Sequence, residues 1–134
     1  MQKVILFCFI VQLLVVSCIQ HETAVKRADP IEAGREFIDA SLKGNYEYAK
    51  KYLLADSVNN EYFNELVNFN NKLSPHNKDG YKSANIIIDS IQNISDTVTI
   101  INYSNTFKKT PEKIKLIRVN KEWLVDFKYT FLEN

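Results

Sequence analysis

The chain is poor in cysteine, histidine, glycine and proline: its 134 residues hold two Cys, two His, three Gly and three Pro. The glycines stand far apart at Gly34, Gly44 and Gly80, so no Gly-rich phosphate loop can be assembled from them. So little Gly and Pro also argues against collagen-like and low-complexity classes. His76 is the one histidine in the body of the chain. It has no second His or Cys at ligand spacing, so neither a metal site nor a cofactor is expected. A dominant charge is missing too, since 17 Lys+Arg against 16 Asp+Glu leave a net charge of +1. The two signs are interspersed. Nothing resembles the basic stripe that meets a phosphate backbone, which excludes nucleic acid as an expected partner.

What the chain does have is one apolar run at its start. Met1–Lys3 carry the positive end, and "VILFCFIVQLLVV", residues 4–16, follows with Gln12 as its one polar residue. A membrane-spanning helix needs about 20 apolar residues, and a secretory signal needs fewer. The run ends on Val15-Val16-Ser17-Cys18, which resembles the lipobox of bacterial lipoproteins. That resemblance implies cleavage before Cys18 and acylation of its sulfur and its new amine. Cys8 leaves with the signal, so the one remaining thiol is spent on the anchor and no disulfide is expected. Two or more acyl chains make such an anchor stable, at about 0.8 kcal/mol per buried CH₂. Ile19, where an Asp favours inner-membrane retention, points to the outer membrane of a bacterial envelope. The expected organisation is a signal peptide at 1–17, the lipidated Cys18 with a flexible tether at 18–29, and one domain at 30–134. Residues 1–28 are expected to make no tertiary contact with that domain.

The domain reads as helices followed by strands. Asp29-Pro30 supplies an N-cap and an N1 proline, and Ile31, Gly34, Phe37, Ile38, Ser41 and Leu42 form one helical stripe. Lys43-Gly44 ends this helix. Asn45 then caps a short helix "YEYAKKYL" that buries Ala49, Tyr52 and Leu53. A third helix spans about 60–73 and buries Tyr62, Phe63, Leu66 and Phe69, until "SPHNKDG" breaks it. β-branched and aromatic residues then predict strands at about 82–92, 96–106, 112–119 and 122–130, with turns at "NIS", "KKTP" and "NK". Links this short make sequential strands antiparallel neighbours. A two-residue Asn120-Lys121 turn pairs Leu116 with Val125, Ile114 with Phe127 and Arg118 with Trp123 on one face. The other face pairs Lys115 with Asp126 and Ile117 with Leu124.

"KGNYEYAKKYL" together with "KLIRVNKEWLVDF" is similar to the helix turn and closing hairpin of small lipoproteins in the nuclear-transport-factor-two-like superfamily. The resemblance covers about residues 30–130. It implies an α+β fold in which three N-terminal helices pack on a curved four-stranded antiparallel sheet, the cystatin-like cone. Enzymes on this cone, such as isomerases and dehydratases, work inside its concave face.

General acid–base chemistry there needs an Asp, Glu or His with a shifted pKa. Asp126 alternates out of phase with Trp123, so it is expected to face away from the helices and to pair with Lys115. Asp89 alternates against Ile86 and Ile88 and is expected outside as well. No Ser nucleophile stands at an elbow motif. The expected function is therefore an envelope-anchored lipoprotein whose domain binds an unidentified ligand without catalysis. An enzyme acting on a small apolar molecule in the cone is the alternative. A pocket is expected near Trp123, Phe127 and Tyr129, with Tyr103 at its mouth. Ile117 and Leu124, extended by Ile87 and by Ile101 or Tyr103, are expected to form an apolar stripe on the outer sheet face through which two copies associate. "DSV", "DSI" and "DTV" around Ser57, Ser90 and Thr97 resemble the acceptor of a periplasmic O-glycosylation system.

Overall fold

The computed structural model describes residues 25–132; the signal peptide and Cys18 lie outside the described residues. The fold is α+β. Its elements run α1 (Pro30–Leu42), α2 (Tyr46–Lys50), α3 (Ser57–Asn71), α4 (Pro75–Lys82), β1 (Ile86–Ser95), β2 (Val98–Asn105), β3 (Glu112–Val119), β4 (Glu122–Asp126) and α5 (Tyr129–Leu132). Each of the first four helices opens on a side-chain cap: Asp29 accepts from Glu32 N, Asn45 from Tyr48 N, Asp56 from Asn59 N and Ser74 from Asn77 N. Each cap answers one of the amide donors that a helix N-terminus leaves without an internal partner.

α4 and β4 depart most from the sequence expectation, while α3 starts at Ser57 rather than about 60 and β1 runs Ile86–Ser95 rather than about 82–92. "SPHNKDG" does not merely break a helix, because Ser74 caps and Pro75 starts α4, the same device as Asp29-Pro30. Four helices therefore precede the sheet rather than three. The last strand stops at Asp126 and the chain turns into α5, so Tyr129 is helical.

The sheet is an antiparallel meander in the order β1-β2-β3-β4. Its last hairpin takes the expected register: Arg118 faces Trp123, Ile117 faces Leu124, Leu116 faces Val125 and Lys115 faces Asp126. The ladder ends there, so the Ile114–Phe127 pair is not part of it. Asn120 and Lys121 both have positive φ, 50° and 69°, the backbone of a type I′ turn. The first hairpin turns later than "NIS", at Asp96-Thr97, and its register shifts at Ile88/Ser90 and again at Asn93/Ser95. Each shift is a β-bulge, which changes the face on which later side chains emerge. Asp89 falls in the first bulge and is exposed.

α1 lies across all four strands, and Gly34 permits the approach. A Cβ there would stand 2.6 Å from Ile101 Cδ1 and 3.3 Å from Ile114 and Leu116. Ile101, Ile114, Leu116 and Val125 are fully buried beneath the helix. Phe37 of α1, Phe63 of α3 and Phe127 pack as tilted or edge-to-face rings 5.4–6.2 Å apart, the arrangement that aromatic quadrupoles favour.

The outer edge of β4 is covered. Tyr52–Leu54 exchanges hydrogen bonds with Val125, and Arg27 O accepts from Trp123 N at 2.8 Å. Residues 25–27 are therefore docked, against the expectation of a contact-free tether. Arg27 also pairs with Glu122 at 3.0 Å and donates to Lys51 O, Lys26 N donates to the Tyr52 hydroxyl, and Val25 packs on the core.

Asp126 pairs with Lys115 at 3.5 Å, yet it does not turn away from the helices. The first turn of α3 reaches it: Asn59 Nδ2 donates to Asp126 Oδ1 at 3.1 Å and to Asp56 Oδ2 at 2.7 Å. Asn59 Oδ1 accepts from Lys128 N at 2.8 Å. This bond captures the chain just past Asp126, where a longer strand would have continued along β3.

Candidate functional site

At the end of the sheet away from Arg27, the inner-face residues change from aliphatic to polar. The inner row runs through Thr99, Ile101, Tyr103 and Asn105 of β2, all buried, and Tyr103 lies opposite Glu112 of β3. Above this corner α1, α3, α4 and α5 do not close completely. They leave a cavity of about 230 Å³. Phe37, Leu42, Leu66, Phe69, Phe127 and Phe131 give it apolar walls, and Tyr81 of α4 stands at its side.

Polar side chains interrupt these walls: Tyr103, Asn105, Lys108 and Glu112 at the sheet, with Ser41, Asn70 and Thr130 on the helices. The Tyr103 hydroxyl donates to Glu112 Oε2 at 2.7 Å. Burial, with the Glu112 carboxylate beside it, pushes this hydroxyl well above the ordinary 10. Tyr103 is thus a neutral phenol at physiological pH, and its proton is held by Glu112. Asn105 Oδ1 accepts from Phe107 N at 3.1 Å and from Lys108 N at 2.9 Å, which anchors the loop after β2 and leaves the amide nitrogen as the uncommitted end. Lys108 stands at the rim. On the α1 wall, Ser41 Oγ is buried without a hydrogen-bond partner. Such an atom is costly to leave unpaired, and native interiors hold few of them.

The expected site residues divide between this cavity and the rest of the molecule. Tyr103 and Phe127 line it. Trp123 does not, being buried at the opposite end of the sheet beside the docked Arg27. Tyr129 does not line it either. Its ring lies 5.3 Å from both the Lys113 and the Lys115 ammonium groups, on the other face of the sheet, because the turn after Asp126 ends the strand alternation. Asp89 and Asp126 are also absent from the lining. Glu112, Asn105 and Lys108 were not singled out by sequence, and Ser41 was placed only on the helical stripe of α1. The alternation of Tyr103 with Asn105 was the available signal for one of them, but apolar residues at both parities of β2 masked it. Among the described residues no group of three or more His, Cys, Asp and Glu is placed to hold a metal.

No family model, curated protein or solved structure matches the chain.

The outer sheet face is not the stripe expected from alternation. Ile101 and Tyr103 point inward and are buried, because β2 presents Val98, Ile100 and Asn102 outward. Val98, Ile117 and Leu124 do lie side by side across three strands. Ile87, however, faces Ser104, and the Ser90–Asn102–Lys113 row separates it from them. Ser57, Ser90 and Thr97 are all exposed.

Proposed function

We propose that this domain binds a small, largely apolar molecule in the cavity above Tyr103, and that an acylated Cys18 holds it to a bacterial envelope. The observation that carries the binding reading is a cavity whose aromatic and aliphatic walls are interrupted by hydrogen-bonded polar groups such as Tyr103, Glu112 and Asn105, the usual make-up of a small-molecule site. The order of helices followed by an antiparallel meander supports the cone fold of the nuclear-transport-factor-two-like superfamily. In that fold such a space is the concave interior.

Binding is favoured over turnover by where the titratable groups stand. A general base works best with a pKa near the working pH. Tyr103 is driven away from that range, the one carboxylate of the lining, Glu112, is engaged by the Tyr103 hydroxyl, and Asp89 and Asp126 lie elsewhere. Lipidation is supported by the segment ending at Cys18; among the described residues no helix is long and apolar enough to cross a membrane.

Two measurements test the two halves of the proposal. Purified protein is extracted with organic solvent and the extract compared by mass spectrometry with that of Leu66→Trp, whose indole would fill the cavity. A compound present in the wild type and depleted in the variant is expected; identical extracts, together with no binding of small aromatic probes, would remove the binding reading. Metabolic labelling with a fatty acid in a bacterial host is expected to tag the wild type and not Cys18→Ser. A labelled Cys18→Ser would remove the anchor.

A further inference from the structure

We infer that the cavity selects a neutral ligand of about two fused rings bearing a hydroxyl, phenolic or alcoholic, bound between the Glu112 carboxylate and the Asn105 amide. This rests on the binding reading above and adds the chemistry of the ligand to it.

Size comes first. A dry cavity of about 150 Å³ takes one benzene, so a cavity of about 230 Å³ suits a molecule about half as large again. Its walls suit aromatic or compact alicyclic rings, since Phe37 and Phe131 lie on either side of Phe127 at 5.4 and 5.2 Å between centroids.

The polar end then sets the functional group. Glu112 Oε2 is taken by Tyr103, which holds the carboxylate at the exposed rim of the cavity, where Oε1 is open to a ligand or to water. Oε1 accepts. Asn105 is 2% exposed, and its Oδ1 is already occupied by two backbone donors, so the Nδ2 end is what remains. It donates. A ligand group meeting both must donate and accept at once, which a hydroxyl does with a single oxygen. A ligand lacking it would leave the buried Asn105 amide unpaired, a strong basis for rejecting an analogue, while the exposed Glu112 would turn back to water.

Charge gives the third constraint. One carboxylate, Glu112, and one ammonium, Lys108, border the same cavity. An anionic ligand meets Lys108 but is repelled by Glu112, and a cation faces the reverse. A neutral hydroxyl faces no repulsion from either.

The test uses four probes of similar size: 2-naphthol, naphthalene, 2-naphthoate and 2-naphthylmethylammonium. They are titrated into the protein lacking residues 1–18 and followed by amide chemical shifts. The expected result is perturbation around Asn105 and Phe127, with 2-naphthol binding at least about tenfold more tightly than the other three, the range set by a lost buried hydrogen bond. Glu112→Ala is expected to narrow the preference for 2-naphthol over naphthalene several-fold, read as the ratio of the two affinities so that any general loss of binding cancels; an unchanged ratio would overturn the part assigned to Glu112. Equal affinities for all four probes, or tighter binding of either ion, would overturn the hydroxyl inference and leave the cavity as a binding site. No binding of any probe would overturn both.

Discussion

Asn59 has no solvent exposure and no charge, yet three other residues depend on it. Its side chain bonds both Asp56 and Asp126 and accepts from the Lys128 amide. Removing it would strip the buried Asp126 of a donor and leave a backbone N–H without a partner. Asn59→Ala is therefore expected to cost about 2–3 kcal/mol in denaturant unfolding, the range for orphaned buried groups. A loss within experimental error would mean that Lys115 and Lys128 suffice for Asp126. Asp56, on the same network, has its carboxyl held below the ordinary 3.8, first by the Asn59 backbone N–H and then by Lys128. A lowered folded-state pKa contributes stability that is present above the unfolded value and lost as pH falls through the folded one. Asp56→Ser, which keeps a capping oxygen, should flatten the stability–pH curve below about pH 4, the unperturbed carboxylate range. Unchanged acid unfolding would show that Asp56 has no part in it. The sequence reading starts this helix at about 60 and so misses the Asp56 cap, and nothing local connects residue 59 to residue 126.

Helix starts and the last hairpin are the elements that local chemistry decides most fully. The Lys115–Asp126 and Ile117–Leu124 pairs follow from alternation and turn length alone, and the ladder contains both. The turn itself carries strain, for Lys121 holds φ +69°, where a non-glycine residue costs roughly 1–2 kcal/mol. Glycine removes that cost but adds chain entropy to the unfolded state, about 0.5–1 kcal/mol. Lys121→Gly is accordingly expected to stabilise the protein by about 0.5–1 kcal/mol, read as a higher melting temperature. A lower melting temperature would show that the Lys side chain makes a compensating contact. β1 behaves differently. Its two bulges interrupt the period of two, so the outward row expected from Ile87 does not continue along the strand. α4 is the instructive omission, since Ser74-Pro75 carries the same start signal as Asp29-Pro30, but Gly80 within it reads as a breaker. That glycine has a tertiary reason: a Cβ there would run into the Phe107 ring.

For the molecule as a whole, the chain segment ahead of α1 is part of the fold. Residues 25–27 cover the edge of β4 through the Arg27–Trp123 hydrogen bond and the Arg27–Glu122 ion pair. A chain beginning at Asp29 is expected to unfold about 1–2 kcal/mol more easily than one beginning at Ile19, the cost of one lost backbone bond and a partly buried Arg. Equal midpoints would return residues 25–27 to the role of a tether. This docking also orients the proposed anchor. Six residues, 19–24, lie between Cys18 and Val25, a reach of about 25 Å at most. The docked end and the cavity stand at opposite ends of β3, at Arg118 and Glu112, about 20 Å apart along the strand. In a chain anchored at Cys18, the cavity therefore lies at the end of the sheet remote from the tether.

The sequence by itself determined where α1 and α2 begin, the antiparallel order of the strands and the register of β3 with β4. These depend on hydrogen bonds and sterics between near neighbours in the chain, which residue type and spacing express directly. Only the tertiary structure decided which parity of β2 faces the helices, because Val98, Ile100, Ile101 and Tyr103 satisfy either choice and the buried Thr99 and Asn105 argue against polarity as a guide. It alone decided that Trp123 and Tyr129 stand away from the cavity while Ser41, Asn105, Lys108 and Glu112 surround it. A cavity is the space that packed elements fail to fill, set by how closely α1 can approach the sheet at Gly34 and by where Asn59 stops β4. Both are distances between segments remote in the chain, and no local pattern encodes them.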